Sequence, residues 1–215
     1  MTHRLFPERI ETERLRFDRL SHETIDPFEL YAFVSREDWR GEALDAMPWF
    51  RFQTVEEVAG FIDHAESEWA ERSSARYLLR ERESDVEREG EIVGTTAFIP
   101  DWETRMATAD VVLAEEFWGR EYGLERASVF VELTFGTYDL EAYCTSCATD
   151  NEPSRRMLEK LVEAYGGRYE GRLRQFGAPR PSGEVTDQYR FSIVKEEYER
   201  AVRAGAGVDF HVEWE

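Results

Sequence analysis

The chain has 215 residues, 41% of them apolar and 13% aromatic, enough for one globular domain with a substantial core. Its 46 acidic against 27 basic residues leave a net charge of −19, which excludes general nucleic-acid binding, since phosphate contacts need clustered positive charge. No apolar run reaches the length of a membrane span and the first residues lack a signal-peptide core, so a cytoplasmic protein with no membrane partner is expected.

Residues 13–20 alternate apolar and charged side chains, the pattern of a strand with one wet face. A turn over 21–26 leads into a short helix over 27–35, with Phe28, Leu30, Tyr31 and Val34 expected on its buried side. Residues 36–53 hold Trp39, Met47, Trp49, Phe50 and Phe52 without clean periodicity. They read either as a short helix and loop over a pocket or as core filler. Thr54 and Glu57 form a capping box, and Val55, Val58, Phe61, Ile62, Ala65 and Trp69 then recur at helical spacing. Strands over 76–82 and 91–99, separated by the polar turn 83–90, have the pattern of an antiparallel hairpin. After Pro100 and a loop over 101–105, a third strand of this meander runs over 106–113.

That strand leads into the stretch 111–127, Val-Val-Leu-Ala-Glu-Glu-Phe-Trp-Gly-Arg-Glu-Tyr-Gly-Leu-Glu-Arg-Ala. An acidic and aromatic turn over 115–119 separates the strand from a helix that starts near Tyr122. The helix carries Leu124, Ala127, Val131 and Phe135 as its apolar stripe and ends near Gly136. Strand, glycine-bearing turn and helix start together make an anion site, because unpaired N–H groups and the helix dipole both point at the ligand. The spacing Arg120-x-x-Gly123 lets backbone approach a phosphate at Gly123, where no side chain intervenes. A simple packing turn would use the same residues.

Residues 141–148 form the next strand, so this region is a βαβ unit with parallel neighbours. Asn151 caps a further helix, with Pro153 in its first turn and Met157, Leu158, Leu161 and Val162 on its buried face, and Gly166-Gly167 stops it. Strands over 168–175 and 185–194 follow, joined by the Gly/Pro-rich loop 176–184. Residues 195–204 form a charged helix and 205–215 a tail whose state is open. With no repeat and no linker, residues 1–215 read as a single domain, core 10–198 and C-terminal extension 199–215. The element order implies an α+β fold with a mixed, mostly antiparallel central sheet and one parallel crossover. A doubly wound dinucleotide fold is disfavoured: it needs successive βαβ units and a G-x-G-x-x-G after the first strand.

Cys144 and Cys147 form a C-x-x-C inside a predicted strand, where residues three apart face opposite sides. The histidines (His3, His22, His64 and His211) are too scattered to complete a zinc site, so buried free thiols are expected. Of the basic residues only Lys160 and Lys195 are lysine. An acidic surface so poor in lysine suggests adaptation to a high-salt cytoplasm, where self-repulsion is screened; an acidic enzyme with biased codon usage is the alternative.

With this order in hand, the chain resembles the GNAT acyltransferase superfamily, and within it the ribosomal-protein N-terminal (alanine) acetyltransferase group. Residues 10–17, Ile-Glu-Thr-Glu-Arg-Leu-Arg-Phe, match that group's opening strand. Residues 117–125, Phe-Trp-Gly-Arg-Glu-Tyr-Gly-Leu-Glu, match its pyrophosphate loop, of general form Gln/Arg-x-x-Gly-x-Gly/Ala. Asn151-Glu-Pro-Ser154 with Glu159-Lys160 matches its Asn-x-x-Ser helix, and 187–197 its last strand and exit. Two departures stand out. Glu125 occupies a position where the broad superfamily has Gly or Ala, and the motif helix runs on as Leu-Val-Glu-Ala-Tyr-Gly-Gly.

The resemblance implies α/β/α layers and acetyl-CoA bound, without a metal, at a splay between the strands ending near Leu113 and Ala148. Backbone groups of Val112 and Leu113 would pair with the pantetheine amides. N–H groups over Gly119, Arg120, Glu121, Tyr122, Gly123 and Leu124 would hold the pyrophosphate, with the Arg120 side chain adding charge. Arg156 would reach the 3′-phosphate, unless it is an ordinary exposed helix arginine. Ser154 is the candidate acid for the leaving thiolate, or else a first-turn capping serine. Asn151 orients pantetheine or a water, or else only caps its helix. For the base, Asp110 is a carboxylate inside an otherwise apolar strand, with Glu103 second. Trp39, Trp49 and Phe52 either shape an acceptor pocket or pack the core.

The implied reaction is acetyl transfer to a primary amine, on a protein or peptide N-terminus or a small molecule. Homodimers are common in the resembling group. Two alternatives remain open at this point: an inactive acyl-CoA-binding module of the same fold, and a structural protein with no cofactor.

Overall fold

The structure, a computed structural model, describes residues 5–36, 50–82, 90–180 and 182–214. Among them nine strands form one open sheet in the order β7-β8-β6-β5-β4-β3-β2-β1-β9. The strands are β1 (Arg9–Glu11), β2 (Leu15–Arg19), β3 (Ala75–Glu81), β4 (Ile92–Asp101), β5 (Met106–Leu113), β6 (Ala142–Ala148), β7 (Arg168–Leu173), β8 (Gln188–Val194) and β9 (His211–Glu213). Five helices accompany them: α1 (Pro27–Val34), α2 (Val55–Glu71), α3 (Tyr122–Glu132), α4 (Glu152–Tyr165) and α5 (Lys195–Arg203). The sheet is mixed and mostly antiparallel, with the single parallel pair β5–β6 that the βαβ reading expects. The chain divides into two compact units, 1–99 with 110–120 and 209–215, and 100–109 with 121–208.

In the first unit β1, β2, β3 and β4 pair antiparallel in succession, Leu15 facing Glu81 and Ala75 facing Phe98. The expected first strand is thus preceded by the short β1, whose outer edge takes β9, Ile10 facing Val212. Within the 205–215 tail, His211–Glu213 therefore forms a strand, one too short to show alternation in the sequence. Phe6, Phe17, Trp69 and Tyr77 meet edge to face in the core, with Trp69 of α2 5.6 Å from Tyr77. The predicted capping box is present: Glu57 N–H donates to Thr54 Oγ1 at 3.3 Å, and the Glu57 carboxylate accepts from Thr54 N–H.

Helix α1 is capped by Asp26, which accepts from Phe28 N–H at 2.7 Å. Its buried face differs from expectation. Leu30, Phe33 and Val34 are inside, whereas Phe28 is 70% exposed and Tyr31 half-buried, its hydroxyl donating to the Gln53 carbonyl. The i, i+3, i+4 spacing of the buried three is the stripe that faces α2. The turn 83–89 and residues Trp39, Met47 and Trp49 lie outside the described residues.

In the second unit β6, β8 and β7 pair antiparallel, and α4 packs on all three. Helix α4 starts at its Asn151 cap and ends at Gly166, whose left-handed φ of +72° is one a Cβ would oppose. Helix α3 ends near Gly136 as expected, its last turn widening into a π turn over Leu133–Thr137, with Tyr138 N–H donating to the Leu133 carbonyl. The parallel ladder pairs Met106 with Ala142 and Ala107 with Tyr143.

Candidate active site

The second half of β5 lies against β4 in the first unit. A Cβ on Gly94 would sit 2.0 Å from the Val112 carbonyl oxygen, so only glycine lets the two strands approach so closely there. Ala114 N–H then donates to the Val93 carbonyl at 3.0 Å, and a 3₁₀ turn over Glu115–Phe117 buries Phe117. The turn closes on itself through Trp118, whose indole Nε1–H donates to the Leu113 carbonyl at 2.9 Å. Of the two residues whose backbone groups the sequence offers to pantetheine, Val112 has its carbonyl against Gly94 and Leu113 has its carbonyl bonded to an indole.

Arg120 follows. Its guanidinium lies 5.0 Å from the Phe117 ring centroid and donates to the buried Glu81 carboxylate at 2.9 Å, while its carbonyl accepts from Arg14. The side chain the sequence offered as charge for a phosphate is thus committed to a buried acid. A buried carboxylate needs such a partner.

Helix α3 opens the second unit. Its N-cap is Glu121, in the left-handed region at φ +63°, and no side chain caps the helix. Leu124 and Glu125 N–H both donate to the Glu121 carbonyl at 3.0 Å, so the expected run of phosphate donors ends before Leu124. The left-handed residues here are Gly119 (φ +76°) and Glu121, while Gly123 lies within the first helical turn. Nothing lies within 4 Å of where a Cβ on Gly119 would point. An uncapped helix start beside an open glycine suits a phosphate, so the residues fit the phosphate end of acetyl-CoA. The Glu121 carboxylate is a negative charge at that start, and Lys160 meets it at 2.6 Å.

Asp110, the first candidate base, is held by Arg76: Nη2 to Oδ2 is 3.1 Å and Nη1 to Oδ1 is 3.3 Å. Arg76 in turn lies 5.2 Å from the Phe61 ring, and Phe61 packs with Phe50 and Phe52. The carboxylate inside the apolar strand is therefore one half of a forked ion pair, which the sequence does not show because its partner lies 34 residues back. Glu103 is exposed in the turn after β4, its N–H bonded to Asp101.

At the start of α4, Asn151 Oδ1 accepts from Ser154 N–H at 3.0 Å, a plain N-cap. Ser154 is half-buried in the first turn. Arg156 is 72% exposed and pairs with Glu152 one turn away, whereas Arg155 reaches Glu159 and lies 4.9 Å from the Tyr189 ring. Cys144 and Cys147 are free and buried in β6, facing Ser192 and Tyr189 of β8. Burial pushes the Cys147 thiol up to about 11, despite the opposing effect of Arg155. A thiol so held is not a nucleophile at neutral pH. No helix among the described residues is long and apolar enough to cross a membrane.

Residues 14–161 match the acetyltransferase (GNAT) domain, more than half of the chain. The chain belongs to the GNAT acetyltransferase family. It is accordingly an acyltransferase whose acyl donor is acetyl-CoA. The uncharacterized N-acetyltransferase p20 of Bacillus licheniformis is 25% identical over 193 residues, covering 89% of this chain and 98% of its own. Among solved folds, a GCN5-related N-acetyltransferase from Brucella melitensis superposes with a TM-score of 0.72 at 21% identity, covering 94% of this chain and 85% of that one. The microcin C7 self-immunity acetyltransferase MccE, solved with acetyl-CoA and AMP, gives 0.71 at 18% identity over 89% and 98%.

Proposed function

We propose that this GNAT domain acetylates a primary amine, either a protein or peptide N-terminus or a small amine. The observation that carries the reading is the head of α3, where an uncapped helix start and the left-handed Gly119 offer backbone N–H groups to a phosphate. The acyl donor's phosphates would lie there, with donors from Gly119 to Gly123 rather than to Leu124. Pantetheine would run along the end of β5. Ser154, half-buried at the start of α4, is the group we assign to the leaving thiolate, and Asn151 holds the turn that presents it. A hydroxyl donating to a developing thiolate lowers the barrier to its departure. Arg156 is assigned no phosphate contact, being paired with Glu152 on an exposed face.

The N-terminal acetyltransferase group is supported by residues 10–17, 117–125 and 151–160 in that order, and a homodimer is the assembly expected from the same likeness. A high-salt habitat is supported by the charge of −19 with only two lysines. The test is thiol release from acetyl-CoA, followed across small amines and N-terminal peptides at low and high salt. Tight acetyl-CoA binding with no amine or peptide ever acetylated would leave only the inactive, acyl-CoA-sensing form of this domain.

A further inference from the structure

We infer that the Trp118 indole is an internal stand-in for a pantetheine amide: it occupies the Leu113 carbonyl in the free protein and gives it up when acetyl-CoA binds. The inference rests on the acyl-donor reading above. Leu113 is the last residue of β5, and a strand-end carbonyl takes its donor from a side chain, a ligand or water. Here the donor is a side chain five residues on, with Nε1 2.9 Å from the carbonyl oxygen. Trp118 is 43% exposed, whereas its neighbour Phe117 is 1% exposed, so the turn's buried apolar anchor is Phe117, and the indole sits nearer solvent with its N–H on the Leu113 carbonyl.

A pantetheine amide offers the same chemistry as the indole, an N–H aimed at a backbone carbonyl. Exchanging one for the other conserves the bond count, so the indole acts as a competitor whose strength is the net worth of one hydrogen bond, about fivefold in affinity. Trp118 is therefore a positioning residue that sets how tightly the strand end takes its donor.

The test is Trp118→Phe, which keeps a ring and removes the N–H. Calorimetry should show acetyl-CoA binding about fivefold tighter in the variant, and the KM for acetyl-CoA should fall with it. In the unaltered protein, acetyl-CoA should change the tryptophan emission excited at the red edge, and that change should be missing from Trp118→Phe despite its five other tryptophans. Unchanged or weaker binding by the variant, or the same emission change in both proteins, overturns the inference while leaving the acyl-donor reading in place. If neither protein binds acetyl-CoA at all, that reading falls and takes this one with it.

Discussion

Glu121 enters α3 through left-handed backbone at φ +63°, and its carboxylate meets the Lys160 ammonium at 2.6 Å. A side chain with a Cβ in that region costs on the order of 1–2 kcal/mol, and an exposed ion pair returns at most about 1 kcal/mol. The charge also sits where a phosphate is proposed to bind. Glu121→Gly should therefore raise the melting temperature by about 2 °C and tighten acetyl-CoA binding several-fold. Lys160→Met should weaken binding in the unaltered background, because Glu121 then faces the phosphate uncompensated. Calorimetry with the two single variants and the double variant checks this; identical affinities throughout would move the phosphates away from α3.

Asp110 is expected to act as a structural partner of Arg76 more than as a proton acceptor. Both its oxygens accept from a guanidinium whose side chain is only 12% exposed. Asp110→Asn strands that cation and should lower unfolding stability by about 2–4 kcal/mol. Paired Arg76→Met and Asp110→Asn should recover much of the loss. Urea unfolding measures the stabilities, and the pH–rate profile of the folded single variant discriminates. Loss of its acidic limb with stability intact would restore Asp110 as the base.

The fold was largely legible because its signals are local. The Thr54–Glu57 box, the Asn151 cap, the terminating Gly166 and the three strands from 76 to 113 all declare themselves within a few residues. What was hidden depends on contacts distant in sequence. Strand β9 has only three residues and exists because β1 offers an edge; Asp110 looks isolated until Arg76 arrives; Arg120 looks free until Glu81 claims it. The junction proposed for the phosphates was legible as strand, turn and helix but not in detail. Gly123 drew attention because glycine permits unusual backbone, yet the unusual backbone falls on Gly119 and Glu121. A glutamate in left-handed backbone leaves no mark in the sequence.

Asn151 and Ser154 separate stability from chemistry. Asn151→Ala removes the acceptor for Ser154 N–H and should cost about 1 kcal/mol, whatever the enzyme's rate. Ser154→Ala keeps that backbone bond, so its melting temperature should stay within about 1 °C while kcat falls by about tenfold or more. Thermal melts and steady-state rates on the same preparations decide it. Equal rates in Ser154→Ala and the unaltered protein would remove the hydroxyl from the reaction.

Alkaline pH should unfold this protein early, and the sign follows from which state keeps its protons. Burial raises the Cys147 thiol from 9.0 to about 11. Burial likewise raises the Tyr138, Tyr165 and Tyr198 hydroxyls above their ordinary 10.0. Tyr165 and Tyr198 are raised further by donating to the Glu132 carboxylate, at 3.2 and 2.6 Å. Each group is neutral when protonated, and the folded chain holds that proton to a higher pH than the unfolded chain does. The unfolded state therefore binds fewer protons above pH 9, and stability must fall as pH rises. Below that pH the contribution is complete and flat. Melting temperatures followed from pH 7 to 11 should hold level and then drop, beginning near pH 9 for the thiol and steepening as the tyrosines join. Cys147→Val should delay the onset without changing the neutral plateau by more than about 1.5 kcal/mol. In the folded protein at pH 8 the thiol should resist iodoacetamide, and it should react promptly once urea exposes it. A melting temperature that stays level through pH 11 would mean that these groups are open to water.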